Sequence, residues 1–434
     1  MPSSRTIPAE IVLVLAALVV GSVPAQGDTF RVKTDRGSFL VEVEGSGGAA
    51  RADGDDLVIS RGGDEYRLKL VSFREDTFFR EPILTVKRDG KVIVSARRIA
   101  TASASPLAGV PGKTILNPKA LSSAWNLAMT PDGRTLVSGH AGFLRVWDPS
   151  TLAERFNVSI GKVARRVAIT PDGSTIATAE FTRGDDGKTT GNVAIRDGKT
   201  GAVRRTMAPV PNLHAVAIDP TGKVVVSASW SETIIRVWNV ETGEQIGTLK
   251  GHSGSVGEVV YSPDGKTLAS CGDTTVRLWD VDTGQVKKIL RGHQDTVESV
   301  AFGPDGKTLA SCGFDDDARV WDVETGKVLA TVEADNPILS VALTANGKTL
   351  ATASARWGNG FYSGSPAQVQ TWDVATGKLL VTLPQQPAQV FSMIFTLDGK
   401  SLFTASLSGA VTLWDLAKFP IVKEAPKPAE PATR

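Results

Sequence analysis

The side chains best suited to chemistry are few and widely separated. Four histidines, His140, His214, His252 and His293, occur in 434 residues, and none sits in an HExxH, Cys-x-x-Cys, phosphate-loop or nucleophile-elbow context. Acid–base or nucleophilic catalysis needs a base within hydrogen-bond reach of the group it activates. No such pair is evident along the chain. The stretch FDDDARVWD (Phe314–Asp322) offers carboxylates for a cation but reads as a solvated turn, and the Arg-Gly-Asp within TRGDDGKTT is a three-residue match that chance supplies easily. These observations point to no catalytic residue, no metal and no cofactor.

Charge narrows the partners little. Forty-eight basic residues against 46 acidic ones leave a formal charge of +2, which supplies no attraction to nucleic acid or to an anionic membrane. No nucleic-acid partner is expected. The run IVLVLAALVVGSV (Ile11–Val23) follows Arg5 and precedes VPAQG, the arrangement of an export signal over residues 1–25 with cleavage before Gln26. This stretch of 13 uncharged residues falls short of the ~20 needed to span a bilayer. The mature chain is therefore expected to be extracytoplasmic, without a transmembrane span, and monomeric.

The elements that would position any site are strands. Residues 28–99 alternate with period two in TFRVKT, SFLVEVE, DLVIS, ILTVKR and KVIVSA, broken by Asp-Gly and Arg-Gly turns, the pattern of a small antiparallel β domain. A linker over 100–112 and a disordered Pro/Ala-rich tail over 421–434 flank a repetitive region at 113–420. There, Trp147, Arg196, Trp238, Trp279, Trp321, Trp372 and Trp414 recur with steps of 49, 42, 41, 42, 51 and 42. A turn glycine at 133, 173, 222, 265, 306, 347 and 399 keeps the same phase. Two rulers in register describe one unit of about 42 residues used seven times.

The Gly-His pairs at 251–252 and 292–293, the Asp-Gly turn, the Ser-bearing strand and the Trp-Asp ending together resemble the WD40 family. The resemblance implies an all-β fold, a seven-bladed β-propeller preceded by the small β domain, which is itself similar to PEGA-like modules. It implies structural tetrads in blade four (His252, Ser270, Asp273, Trp279) and blade five (His293, Ser311, Asp315, Trp321). The other blades have no His at the position of these Gly-His pairs and are expected to be less tightly buttressed. Lys113–Asn117 is expected to close the ring as the missing outer strand of the last blade. Cys271 and Cys312, in twin LASCG contexts, fall on equivalent strands of neighbouring blades, ~9–10 Å apart and beyond the ~7 Å limit of a disulfide. Buried free thiols are expected. Arg196, where six repeats have Trp, is expected to mark a relaxed second blade, its head reaching solvent or a carboxylate such as Asp197.

Propellers of this family act as scaffolds, which implies a non-catalytic exported recognition protein binding a protein or peptide on its top face. Eight residues before each turn glycine lie Trp125, Arg165, His214, Gly257, Glu298, Leu339 and Phe391, a ring expected at the channel mouth. Phe181, Trp230, Phe314, Trp357, Phe361 and Tyr362 are expected in loops on the same face, where aromatics serve recognition; local packing is the competing reading. Two alternatives stay open. One is a hydrolase or lyase using His214, Glu298 and Arg165, and the other is a structural component of the cell envelope.

Overall fold

The computed structural model describes strands within 28–99 and at 112–115, and residues 123–183, 189–355 and 366–420. The expected export signal, most of the linker and the tail lie outside the described residues. The chain divides into two compact units, one of Met1–Ala108 with Arg183–Lys188 and Asn359–Ser363, the other of Gly109–Thr182, Thr189–Gly358 and Gly364–Arg434. In the first, Asp28–Thr34, Gly37–Val43, Lys91–Ile99 and Ile83–Arg88 form an antiparallel sheet in that order. Gly48–Asp53, Asp56–Arg61 and Asp64–Lys69 form a second.

The second unit is an all-β propeller, and its repeating turn shows why the sequence folds this way. Ser262 Oγ donates to Asp264 Oδ1 at 2.6 Å and accepts the Thr267 N–H at 2.9 Å, while Gly265 N–H bonds the Ser262 carbonyl. The chain can reverse so tightly only with a left-handed residue at its apex. Gly265 has φ +71, and the turn glycines of the other six repeats lie between +66 and +72.

Each reversal joins an inner strand to its neighbour, and successive sheets pack face to face. Leu213–Ile218, Val224–Ser229, Ile234–Asn239 and Gln245–Lys250 form one four-stranded sheet, and the fourth, fifth and sixth repeats form three more in the same order. The core lies between sheets. Trp279 packs with Ala215, Val226 and Ile235 of the preceding repeat as well as with Val259 and Leu268 of its own. Seven inner strands, beginning with Ala124–Met129 and ending with Val390–Phe395, neighbour one another in a closed cycle.

Two features concern closure. Gly112–Ile115 pairs antiparallel with Val411–Asp415, from Gly112 opposite Trp414 to Ile115 opposite Val411. A strand from before the first repeat thus completes the last sheet. The first two repeats share a single seven-stranded sheet, because Leu136–Trp147 runs on through Gly142 (φ +89) and Glu154–Ile169 continues from the outer edge of one repeat to the inner strand of the next. No helix among the described residues is long and apolar enough to cross a membrane.

Candidate functional site

The repeat tryptophans hold the sheets through one recurring bond. In the fourth repeat Trp279 Nε1 donates to Ser270 Oγ at 2.8 Å, and His252 Nε2 meets the same oxygen at 2.7 Å. His252 Nδ1 lies 3.1 Å from Asp273 Oδ2. Burial pushes the Asp273 carboxyl upward, but bonds from His252, Thr275 and the Ser253 N–H outweigh it and hold the group well below the usual range. The fifth repeat repeats the arrangement with Trp321, Ser311, His293 and Asp315. Here burial lowers the His293 pKa and Asp315 offsets this only in part.

Two expectations about the other repeats need correction. The first repeat has no histidine in the loop before its first strand, where His252 and His293 stand, but it does not lack the buttress: His140 Nε2 meets Ser138 Oγ at 2.8 Å, and Trp147 Nε1 donates to that oxygen at 2.8 Å. The imidazole comes from two residues beyond the serine rather than from the loop before the strand. The second repeat is not relaxed. Arg196 is 4 % exposed, and its Nε and Nη2 bond Glu180 Oε1 at 2.9 and 2.6 Å, while Nη1 donates to the Gly201 carbonyl. Thr178 Oγ1 donates to the same carboxylate oxygen. A buried guanidinium must be paired, so its head turns inward to Glu180 and leaves Asp197 to Arg204. Glu180 and His140 share one offset, two residues after the strand hydroxyl, and that spacing is the signal by which both were findable.

Of the residues expected at the mouth, the structure gathers the inner-strand set. The pairing register skips Trp125, Arg165, His214, Glu298, Leu339 and Phe391 in their respective strands. Each is the extra residue of a β-bulge, which re-aims a side chain and leaves its ladder position unpaired. At the seventh position stands Gly257, just before Glu258–Tyr261. Six of the seven ring positions are therefore bulges, a property that pattern alone did not reveal. The ring position two residues further on is filled by Leu127, Val167, Val216, Val259, Val300, Val341 and Met393, all buried.

Four of these side chains and one loop residue stack continuously from one repeat to the next. Phe391 stacks on Trp125 at 5.1 Å between centroids, the Arg165 guanidinium lies 5.3 Å from the Trp125 ring and 4.3 Å from the Trp230 ring, and Trp230 stacks on His214 at 4.1 Å. Such contacts add to plain area burial. Phe391, Trp125, Arg165 and Trp230 are half-buried, whereas His214 is 2 % exposed. His214 Nδ1 sits 2.6 Å from the Gly257 carbonyl. The carbonyl can only accept, so the proton is on Nδ1. Burial first, then Arg165 and Arg166, lower the His214 pKa well below its ordinary value and keep the ring neutral.

One position after four of the ring residues stand polar residues that sequence reasoning missed, Asn126, Arg166, Glu258 and Ser392. Glu258 Oε1 is 3.5 Å from Arg166 Nε, and its Oε2 accepts the Val300 N–H at 3.0 Å. Asn126 Oδ1 accepts the Val167 N–H, and Ser392 Oγ the Leu127 N–H, each at 3.0 Å. These residues clasp one inner strand to the next. Glu298 is half-buried; desolvation, with a smaller push from Glu258, raises its carboxyl to about 7 against the opposing influence of Arg166 and Arg165.

The loop aromatics separate. Trp230 joins the rim stack, and Phe314 is half-buried with its N–H on the Thr296 carbonyl. Phe181, expected in an exposed loop, is 6 % exposed and lies inside Thr175–Arg183, because that strand continues past the expected boundary. Trp357, Phe361 and Tyr362 lie outside the described residues. Cys271 and Cys312 are free and buried, and burial pushes both thiols up. Among the described residues no group of three or more His, Cys, Asp or Glu is placed to hold a metal.

Comparison with known proteins follows the same lines. The model of the family described as IFT122 first beta-propeller matches residues 212–433. A WD repeat-containing protein of Synechocystis sp. is 29% identical over 146 residues, 32% of this chain and 38% of that one. WD repeat-containing protein SL1-17 of Schistosoma mansoni is 30% identical over 127 residues, 29% of this chain and 39% of that one. The periodic tryptophan protein 2 homolog of Neurospora crassa is 34% identical over 59 residues, 14% of this chain; the match spans only 7% of that relative's length.

Proposed function

The chain belongs to the IFT122 first beta-propeller family, and from that premise we propose that it is an exported, non-catalytic scaffold whose seven-bladed propeller binds a protein or peptide at the channel mouth. WD repeat relatives support the interaction role. The observation that carries the choice of face is the stack from Phe391 through Trp125, Arg165 and Trp230 to His214. Half-buried aromatic and arginine side chains grouped on a rigid frame are what interface hot spots are made of. Export is supported by Ile11–Val23, and the closed cycle of inner strands supports seven blades, the shared sheet counting as two.

The non-catalytic reading is favoured over a hydrolase or lyase by the state of His214. Its Nδ1 is committed to a backbone carbonyl and the ring is buried in the stack, which leaves it poorly placed to exchange protons with a substrate. The test is crosslinking capture from envelope and secreted fractions with the full chain and with Trp125→Ala/Trp230→Ala. Loss of the wild-type partner by a variant that melts normally supports the reading, and capture unaffected by the variant refutes it.

A further inference from the structure

The sixth repeat departs from the fourth and fifth at two places in its sheet. Ser270 and Ser311, the hydroxyls that accept the indole bonds, pair across the ladder with Arg277 and Arg319. Each guanidinium reaches the glycine of its own Gly-His pair: a Cβ on Gly251 would meet Arg277 Nη1 at 3.1 Å, and one on Gly292 would meet Arg319 Nη1 at 2.9 Å. In the sixth repeat Thr352 accepts the Trp372 indole bond in the same way, but its ladder partner is Gln370. Five residues before the ring position, where the fourth and fifth repeats have His252 and His293, stands Ala334. A long cation and an imidazole are both replaced by shorter side chains.

A cavity of about 510 Å³ is lined by Gln370 and by the residues that follow Ala334. Asp335 and Asn336 come from the turn into the inner strand, Ser354 from the end of Thr349–Ala355, Gln368 and Gln370 from Ala367–Asp373, and Thr382 from Leu379–Thr382. Asp335 and Thr382 are exposed, Asn336, Gln368 and Gln370 are half-buried, and Ser354 is 4 % exposed. The wall thus runs from solvent to a buried hydroxyl. Ser354 stands two residues after the strand hydroxyl, the offset at which His140 and Glu180 complete the first and second repeats and at which Ser229 donates to the Pro211 carbonyl at 2.6 Å. The Ser354 hydroxyl and the Asn336 amide bond no other described residue. Gln368 Nε2 donates to the Leu383 carbonyl at 2.9 Å, which fixes that amide and leaves its Oε1 available.

The composition of the wall selects a class of ligand. Among the described residues that line it, Asp335 is the only charged one. With no cation the wall does not attract a phosphate, sulfate or carboxylate, and with no aromatic ring or second carboxylate it is poorly made for an ammonium group or a metal ion. Its apolar share, Ala355 and Pro366, is small for a lipid chain. What remains is carboxamides and hydroxyls, which set donors and acceptors side by side. A sugar ring carries the matching pattern, because each of its adjacent hydroxyls donates once and accepts twice. The volume lies within the range of small-molecule pockets.

We propose that the cavity of the sixth repeat binds a neutral sugar unit of a glycan, held by the amides of Asn336, Gln368 and Gln370 and by the Ser354 hydroxyl, with Asp335 accepting from sugar hydroxyls where the wall meets solvent. Neutral hydrogen bonds each add little net free energy, so several must act together. The amide already fixed on Leu383 lowers the ordering that a ligand must impose. The site shares no residue with the stack from Phe391 to His214, and it stands whether or not the channel mouth binds a protein.

The experiment is calorimetric titration of the full chain with maltose, cellobiose, trehalose and N,N′-diacetylchitobiose, with inorganic phosphate and tetramethylammonium chloride as charged probes. At least one disaccharide is expected to bind saturably at millimolar concentration or below, and more tightly than either charged probe. Gln370→Arg puts back the residue that the fourth and fifth repeats carry at this ladder position. It should abolish sugar binding in a chain that melts normally. Asn336→Ala removes about two hydrogen bonds and should weaken binding about tenfold. No saturable binding of any of the disaccharides overturns the inference, and so does affinity unchanged in Gln370→Arg, which would put the sugar elsewhere on the chain. Phosphate or tetramethylammonium bound more tightly than every disaccharide overturns the assignment of a neutral ligand. If Gln370→Arg fails to fold, the double variant Asn336→Ala/Ser354→Ala decides, since unchanged sugar affinity there overturns the site.

Discussion

Arg196 Nη2 lies 2.6 Å from Glu180 Oε1, with both side chains 5 % exposed, in the place where six other repeats set a tryptophan beside a hydroxyl. The pair substitutes a buried ionic contact for an indole bond. Breaking a buried pair from one side strands the other charge, which costs about 3–5 kcal/mol. Arg196→Trp alone should therefore destabilise the chain by about 3 kcal/mol. Arg196→Trp with Glu180→His recreates the Ser138, His140 and Trp147 arrangement on Thr178 and should recover most of the loss. Urea melts compare the two; a double variant no more stable than the single one refutes the equivalence of the two repeats.

His140 is expected to matter as much as His252. Each imidazole nitrogen meets a buried serine oxygen that also accepts an indole N–H. Removing one member of such a network costs about 1–3 kcal/mol. His140→Ala and His252→Ala should lower stability by similar amounts, and a neutral His140→Ala would show that the first repeat is held by packing alone.

Ring closure can be tested at the strand Gly112–Ile115. Proline has no N–H to donate, and in a strand one of two successive residues directs its N–H toward the partner. Proline at both Lys113 and Thr114, which pair with Leu413 and Thr412, should lower the melting temperature and expose the edge Val411–Asp415 to aggregation. A melt identical to that of the unaltered chain would show that this strand is dispensable for closure.

Glu298 gives a pH dependence of defined sign. Its carboxyl is raised from 4.5 to about 7, chiefly by desolvation, so between those values the folded chain binds more protons than the unfolded one. Its contribution is harmless below 4.5, becomes increasingly destabilising as pH rises from there, and levels off above about 7. Glu298→Gln should match the original chain near pH 4 and be more stable at pH 8, by on the order of 2 kcal/mol. Chemical denaturation at the two pH values measures the difference, and a gain of equal size at both would assign it to packing instead.

Much of the architecture was legible beforehand because it depends on local chemistry. The reversal at Gly265 needs a hydroxyl, an aspartate and a residue tolerant of positive φ within a few positions, and those types recur at a readable interval. The repeat tryptophans mark the strand that each must buttress. The position of Phe181 was not legible, since nothing in the residue types says that its strand runs on to Arg183. Neither was the inward turn of Arg196, whose partner lies 16 positions away across two strands.

The sequence by itself determined the all-β repeat, its phase, its turns and the ring of divergent residues from Trp125 to Phe391. Each of these follows from side-chain type and spacing within one unit of chain. Only the tertiary structure decided that six of the seven ring residues are bulges, that Arg165 is clasped by indoles from the repeats before and after its own, and that Glu258 joins Arg166 to Val300. The physical reason is that a bulge is a mismatch between two strands, and a stack across repeats is a contact between sheets. Neither exists until the chain has closed into a ring.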